Sequence, residues 1–254
     1  MAKHFTAERR NELAEMIISE GHVTIADAAS HFNVSIETIR KDMIYLEQEG
    51  IINKTHGGAL PSSTILEKPV FQKRTEHQEH KKLIAKKALE YIPENATLFL
   101  DSGSTVVALA ELLKLKSGLT IFTNNVAAFN TLIGSDNKLF ILGGDLHQGP
   151  LAIVGKWARD QILSTRADVV FLGTDGLESF QGPTAIMYEE VDIKRAYIAS
   201  ARKSVLLVDS SKFQTSSRFE VASWREIDTV ISDEKILERD KGKISRYTEI
   251  IIAE

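Results

Sequence analysis

The sequence predicts an α/β protein in two parts, a small helical N-terminal module and a larger domain built around a mostly parallel sheet. Two observations carry this expectation. Residues 6–50 place apolar side chains at helical spacing, interrupted by two short joints. From residue 97 onward a rhythm of short apolar strand, small polar loop and helix repeats to the end of the chain. Nearly continuous apolar strands alternating with helices imply a parallel sheet covered on both faces.

The first helix starts at Thr6, carries Leu13, Met16 and Ile17 on one stripe and is stopped by Gly21. Thr24 with Asp27 three residues on forms a capping box that opens a short helix bearing Ala28, Ala29 and Phe32. Ser35 caps a third helix whose apolar residues Ile36, Ile39, Met43 and Leu46 share a stripe, and Gly50 ends it. The joint Asn33-Val34 is too short for the second and third helices to lie side by side. They must cross steeply with Val34 in the corner, which is helix–turn–helix geometry. Ile51-Ile52, the polar run Asn53–His56 and Gly57-Gly58 then read as a two-stranded wing, so residues 1–60 form a winged helix–turn–helix domain.

Residues 61–80 read as a linker, because Pro61–Thr64 is turn-rich and Pro69 resists helix. A helix follows over 81–91. His77 and His80 share its face if it extends back. Without a third ligand two histidines are surface residues, so no metal is expected.

The larger domain, 81–254, places strands at 97–100, 119–122, 138–142, 168–172, 204–208, 229–232 and 249–252. Helices are expected at 106–113, 126–133, near 153–163 and at 189–201. Each of the first five strands ends in a cluster: Asp101-Ser102-Gly103-Ser104-Thr105, Thr123-Asn124-Asn125, Gly143-Gly144-Asp145, Gly173-Thr174-Asp175-Gly176 and Asp209–Lys212. Ligands of open parallel sheets bind beyond the carboxyl ends of the strands, where these clusters fall. Gly103 lets backbone approach an anion, Ser104 and Thr105 add hydroxyls, and the helix behind them points its free N–H groups the same way. Lys194 and Lys212 supply positive charge. Such residues are also ordinary in any strand–helix joint; five clusters on one rim favour a ligand site.

Composition bounds the function. Apolar residues make up 43% and charged residues 26% of 254 residues, as in globular proteins. The chain has no cysteine, which removes thiolate chemistry and disulfides and suits a cytoplasmic protein. The longest apolar run, Val106–Leu113, is too short to span a membrane. Net charge is −4, and residues 1–60 hold six Lys/Arg against nine Asp/Glu, so net charge alone demands no nucleic acid. The local pattern points there instead. The third helix presents Ser35, Glu37, Thr38, Arg40, Lys41 and Tyr45 outward, and Lys54 and His56 follow on the wing. A helix N-terminus suits phosphate contact, and Thr, Arg and Lys reach base edges in a major groove. A module that binds protein is the competing reading; it predicts no salt-dependent DNA affinity.

The run Val34 to Gly50, with its serine, Thr38-Ile39-Arg40-Lys41-Asp42 core and then His56-Gly57-Gly58-Ala59, resembles the N-terminal signature of DeoR-type bacterial transcriptional regulators. Met43 stands where those proteins usually have leucine, and Asn53-Lys54 where an arginine is usual. The larger domain resembles the effector domain of the same regulators through Asp101–Thr105, Thr123–Asn125, Leu142-Gly143-Gly144, Phe171–Gly176, Asp192–Ala196 and Val208–Phe213. The resemblance implies a fold similar to ribose-5-phosphate isomerase that senses a phosphorylated sugar. It implies that Gly103–Thr105 hold the phosphate and that Asp101, Asn124, Asp175 and Lys194 face the sugar. Double-stranded operator DNA is the implied partner, read by a homodimer or homotetramer, with no cofactor and no membrane.

The alternative is a sugar-phosphate isomerase with an accessory N-terminal module. Proton transfer between sugar carbons needs a carboxylate base. In the isomerases the run similar to Gly173–Gly176 ends in an acidic residue, whereas Gly176 cannot take a proton. Asp175 and Glu178 remain nearby, but the expectation is a regulator and not an enzyme.

Overall fold

The computed structural model describes residues 6–20, 22–48, 51–61, 70–177, 181–215 and 217–254. Gly21, Gly50, residues 62–69 and Glu178, each given a part above, lie outside them. The chain divides into two compact units, Met1–Lys68 and Pro69–Glu254.

The first unit runs α1 (Thr6–Glu20), β1 (Val23–Thr24), α2 (Ile25–Phe32), α3 (Ile36–Gln48), β2 (Ile52–Thr55) and β3 (Gly58–Pro61). Thr24 caps α2 by accepting from the Asp27 amide at 3.1 Å, and its hydroxyl donates to the Asp27 carboxylate at 2.6 Å. The corner after α2 is made by Asn33, left-handed at φ 51°, so that Val34 N–H donates back to Ala29 at 3.1 Å. Val34 then packs on a core of Leu13, Ile17, Phe32, Ile39, Met43 and Leu46. Ser35 caps α3 through the Thr38 amide at 3.2 Å. The wing gains a strand that the sequence reading did not foresee: β1 pairs antiparallel with β3, which also pairs with β2. Gly58 makes that approach feasible, since a Cβ there would stand 2.4 Å from the Val23 carbonyl oxygen.

The second unit opens with α4 (Val70–Thr75) and α5 (Gln78–Ala88). The segment read as linker is therefore helical from Val70 onward. The helix expected over 81–91 starts earlier, at Gln78, and its Ile84, Ala85 and Ala88 form a buried stripe that packs against the sheet. Then follow β4 (Thr97–Leu100), α6 (Ser104–Leu113), β5 (Thr120–Thr123), α7 (Val126–Leu132), β6 (Lys138–Ile141), β7 (Asp145–His147), β8 (Ala152–Val154), α8 (Lys156–Leu163), β9 (Ala167–Leu172), β10 (Thr184–Ala185) and α9 (Tyr188–Ser200). The chain ends with β11 (Ala201–Leu207), β12 (Phe219–Glu220), β13 (Thr229–Asp233), α10 (Glu238–Ile244) and β14 (Glu249–Ala253).

Seven of these strands form one parallel sheet in the order β14-β13-β11-β9-β4-β5-β6. One apolar core lies under α5, α6 and α7, and another under α8 and α9. The helix expected near 153–163 begins later, at Lys156. Ala152–Val154 instead pairs with Asp145–His147 as a hairpin, and Gly155, at φ +89°, turns the chain from strand into helix. No helix among the described residues is long and apolar enough to cross a membrane.

Candidate functional site

The sheet order places a topological switch between β4 and β9. From β4 the chain winds outward through β5 to β6; from β9 it winds the opposite way through β11 to β14. Loops leaving adjacent strands in opposite directions open a crevice, and parallel α/β sheets bind ligands in such crevices. The two loops here are Asp101–Thr105 and Gly173–Gly176. They approach closely: a Cβ on Gly103 would lie 4.0 Å from the Gly173 Cα, and a Cβ on Gly173 only 2.9 Å from the Ser102 carbonyl oxygen. Gly103 holds φ +120° as the residue before α6, and no side chain caps that helix.

Beneath the loops sits a buried ion pair. The Asp101 carboxylate accepts from Lys194 Nζ and, at 2.9 Å, from the Gly173 amide; Lys194 also donates to the Gly173 carbonyl at 3.1 Å. Their side chains are 1% and 4% exposed. Burial pushes the Lys194 ammonium down, but Asp101 and Glu190 outweigh it and hold it above its ordinary value. Glu190, Lys194 and Tyr197 line one buried face of α9. Tyr197, pushed well up by burial and then by Asp101, keeps its proton and donates it to Asn124 Oδ1 at 3.2 Å.

Asp175 lies in the second loop, 12% exposed. Lys73 of α4 donates to one carboxylate oxygen at 3.0 Å and the Ile186 amide to the other at 3.0 Å. Burial works to raise its carboxyl, yet Lys73, Lys194 and those hydrogen bonds leave it below the usual range. The same loop is braced by Thr174, whose hydroxyl donates to the Gly176 and Thr184 carbonyls, each at 3.0 Å.

The remaining residues of the rim serve different contacts. Asn125 caps α7 and extends its amide to the carbonyls of Asp101 (3.3 Å) and Gly103 (3.4 Å), so it shapes the first loop from behind. Asn124, expected to face a sugar, is 1% exposed and engages Tyr197 and the Ile153 carbonyl. Thr123 donates to Leu100 across the β4–β5 pair. Gly143 exchanges hydrogen bonds with Gln161 of α8, and Gly144 packs against the Val154 carbonyl of the hairpin. Lys212 follows β11, half-buried, its carbonyl accepting the Leu177 amide at 2.9 Å. The switch point thus gathers Asp101, Ser102, Gly103, Ser104, Thr105, Asn125, Gly173, Asp175, Gly176 and Lys194. Gly143, Gly144 and Lys212 occupy flanking strand ends.

In the first unit Glu37, Arg40, Lys41, Tyr45, Lys54 and His56 are exposed, as is Ser35, while Thr38 is half-buried against the Ser35 hydroxyl at 2.8 Å. Lys54 pairs with Glu47 at 3.2 Å, joining the wing to α3. Two arginines that the sequence reading passed over hold this face in place. Arg9 and Arg10 of α1 donate through Nε to the buried Asp42 at 2.7 and 2.8 Å. The Arg10 guanidinium also covers the Tyr45 ring at 4.0 Å. His80, read as a surface residue, lies 3.0 Å from Asp233. Among the described residues no three side chains are grouped to hold a metal.

Comparison with known proteins now bears on the whole chain. The DeoR C terminal sensor domain matches residues 76–234, and the DeoR-like helix-turn-helix domain matches residues 9–64. The chain belongs to the DeoR family. It is similar to the glycerol-3-phosphate regulon repressor of Escherichia coli K12, 36% identical over 228 residues that span 89% of this chain and 90% of the relative. It is also similar to the lactose phosphotransferase system repressor of Staphylococcus epidermidis RP62A, 31% identical across 96% of this chain and 98% of that one. A D-ribose-5-phosphate isomerase structure in complex with phospho-erythronic acid aligns with 54% of each chain at 22% identity and a TM-score of 0.41, too weak a likeness to argue from. The DeoR-family assignment makes this chain a DNA-binding transcriptional regulator and sets the isomerase alternative aside. Of the residues missed by sequence reading, Arg9, Arg10 and Lys73 gave no local signal, because each is tied to a residue far along the chain. Tyr197 could have been found: it stands three residues after Lys194, on the same face of a predicted helix.

Proposed function

We propose that this DeoR-family protein represses a carbohydrate-use operon in the cytoplasm, and that a phosphorylated sugar at the switch point controls its hold on the operator. The supporting observation is the uncapped start of α6 meeting Gly173 above the buried Asp101–Lys194 pair. Free N–H groups at a helix start and a glycine held at φ +120° suit a phosphoryl group. Gly103, Ser104 and Thr105 take the phosphate. Asp175 and Gly176 face the sugar, with Asp101 and Lys194 setting the charge beneath. The names of the relatives agree with this reading, since one is a glycerol-3-phosphate and another a lactose phosphotransferase repressor.

Ser35, Glu37, Thr38, Arg40, Lys41 and Tyr45 of α3 meet the major groove, while Lys54 and His56 of the wing meet the flanking backbone. A homodimer or homotetramer presents paired heads to paired half-sites. The ligand shifts operator affinity by binding one arrangement of the protein more tightly than another.

Thermal-shift screening against sugar phosphates tests the reading, because a tight ligand stabilises the fold by mass action. Two variants separate the sites. Lys41→Ala weakens operator binding and reduces the salt slope by about one, while ligand affinity stays unchanged. Ser104→Asp abolishes the thermal shift and leaves operator binding intact. An acidic residue is tolerated in the first turn of a helix, yet its carboxylate repels the phosphate. The reverse pattern would overturn the assignment of roles.

A further inference from the structure

α4 lies at the very start of the second unit, directly after the division of the chain. It is only six residues long and is held by side chains reaching from elsewhere. Arg74 pairs with Glu111 of α6 at 2.9 Å. Lys81, 4% exposed in α5, donates to the Lys73 carbonyl and, at 2.7 Å, to the Glu76 carbonyl, capping the end of the helix with a cation. Burial pushes that ammonium down to about 8. Lys73 extends from this helix into the switch-point loop, where it meets Asp175.

Charge bookkeeping at the crevice makes this contact informative. In the ligand-free site Lys194 serves Asp101, with Glu190 also acting on it, and Lys73 serves Asp175. A sugar phosphate brings about −1.5 to −2 and needs cations of its own. Lys194 is enclosed and shared with the Gly173 carbonyl. Lys73 is more exposed, at 15%, and its partner Asp175 keeps a second donor, the Ile186 amide, when the lysine leaves. Beside this point a cavity of about 270 Å³ opens between α4, α5 and α6, with Ser104, Arg74, Lys81 and Lys82 on its walls. It has room for a small phosphorylated molecule, although Glu111 also lines it and pairs with Arg74.

We propose that Lys73 is a ligand-reading residue supplied to the sensor site by α4: it rests on Asp175 in the free protein and passes to the phosphoryl oxygens when ligand binds. The carboxylate oxygen it vacates then accepts a sugar hydroxyl. Because Lys73 is part of α4, occupancy of the crevice is registered in the helix that opens this unit. The inference rests on the switch point being the effector site and adds the residue that reports occupancy there.

The test uses the full chain, an operator duplex selected with the wild-type protein, and three probes: glycerol 3-phosphate, ribose 5-phosphate and fructose 6-phosphate. With a probe that stabilises the wild type, Lys73→Met should bind about 10- to 100-fold more weakly, the range for a lost charge-assisted hydrogen bond. At saturating probe its operator affinity should no longer change, and Lys73→Arg should restore both properties. If Lys73→Met does not fold, Lys73→Gln replaces it, since its amide can still donate to Asp175 without carrying the charge. A variant that keeps wild-type probe affinity and still transmits overturns the inference while the effector reading stands. If no probe stabilises the wild type, the effector reading fails for these sugars, and a double-mutant cycle on ligand-free operator affinity decides about Lys73. Lys73→Met, Asp175→Asn and the double variant shifting affinity by one common factor support the contact; additive or absent shifts refute it.

Discussion

Replacing Lys194 with methionine is expected to destabilise the larger unit by about 3–5 kcal/mol, the range for removing one partner of a buried ion pair. The magnitude comes from what stays behind. Asp101 keeps the Gly173 amide at 2.9 Å and a long contact with the Ser102 hydroxyl at 3.4 Å, but its charge is then enclosed without a counter-ion. Methionine matches the stem of lysine closely, so little of the loss arises from packing. Urea unfolding at neutral pH measures the effect. Adding Asp101→Asn and Glu190→Gln to the variant should recover most of it, because both carboxylates that act on Lys194 are then neutral. Recovery of less than half would show that the pair acts through shape and not charge. The exposed pair Lys156–Asp160, with side chains 80% and 48% exposed, provides the contrast. Lys156→Met should change stability by about 0.5 kcal/mol or less, as surface pairs do.

Asp42→Ala is the second large effect, and it falls on the DNA-reading unit. One carboxylate, 2% exposed, accepts from Arg9 and Arg10 together and so fastens α1 to α3. Arg9 is itself only 11% exposed, so losing Asp42 strands a guanidinium inside the module. About 3–5 kcal/mol is again the scale, and a small module has little stability to spare. Hydrogen exchange over residues 6–61 should accelerate strongly, and operator binding should fall by far more than with Lys41→Ala. Exchange over residues 97–254 should not change. Protection that survives in α1 and α3 would mean that the apolar core of Leu13, Ile17, Ile39 and Met43 holds the helices without the clasp.

The parts of the fold legible in the sequence are those with local causes. Thr24 and Asp27 are three residues apart, so their reciprocal cap could be written down before any coordinates. The steep corner at Asn33-Val34 follows from a joint too short for parallel helices. The parallel sheet follows from apolar strands recurring between helices, and the switch-point loops from the polar clusters that end them. The hairpin of β7 and β8 left no such trace. Its strands are three residues each, too short for alternation to register, and their pairing is decided by contacts with each other. α4 was missed for a related reason: six residues with two adjacent cations read as solvated chain, and the helix is held by Lys81 and Glu111 from outside it.

The sequence alone determined the class of each part, the loops that reach the rim of the sheet and the exposed polar face of the third helix, because periodicity and capping act within a few residues. Only the tertiary structure decided how the charges at those places are matched. Arg9 meets Asp42 across 33 residues, Asp101 meets Lys194 across 93 and Lys73 meets Asp175 across 102. A buried charge must find its partner wherever the fold brings one, and chain separation places no limit on that choice.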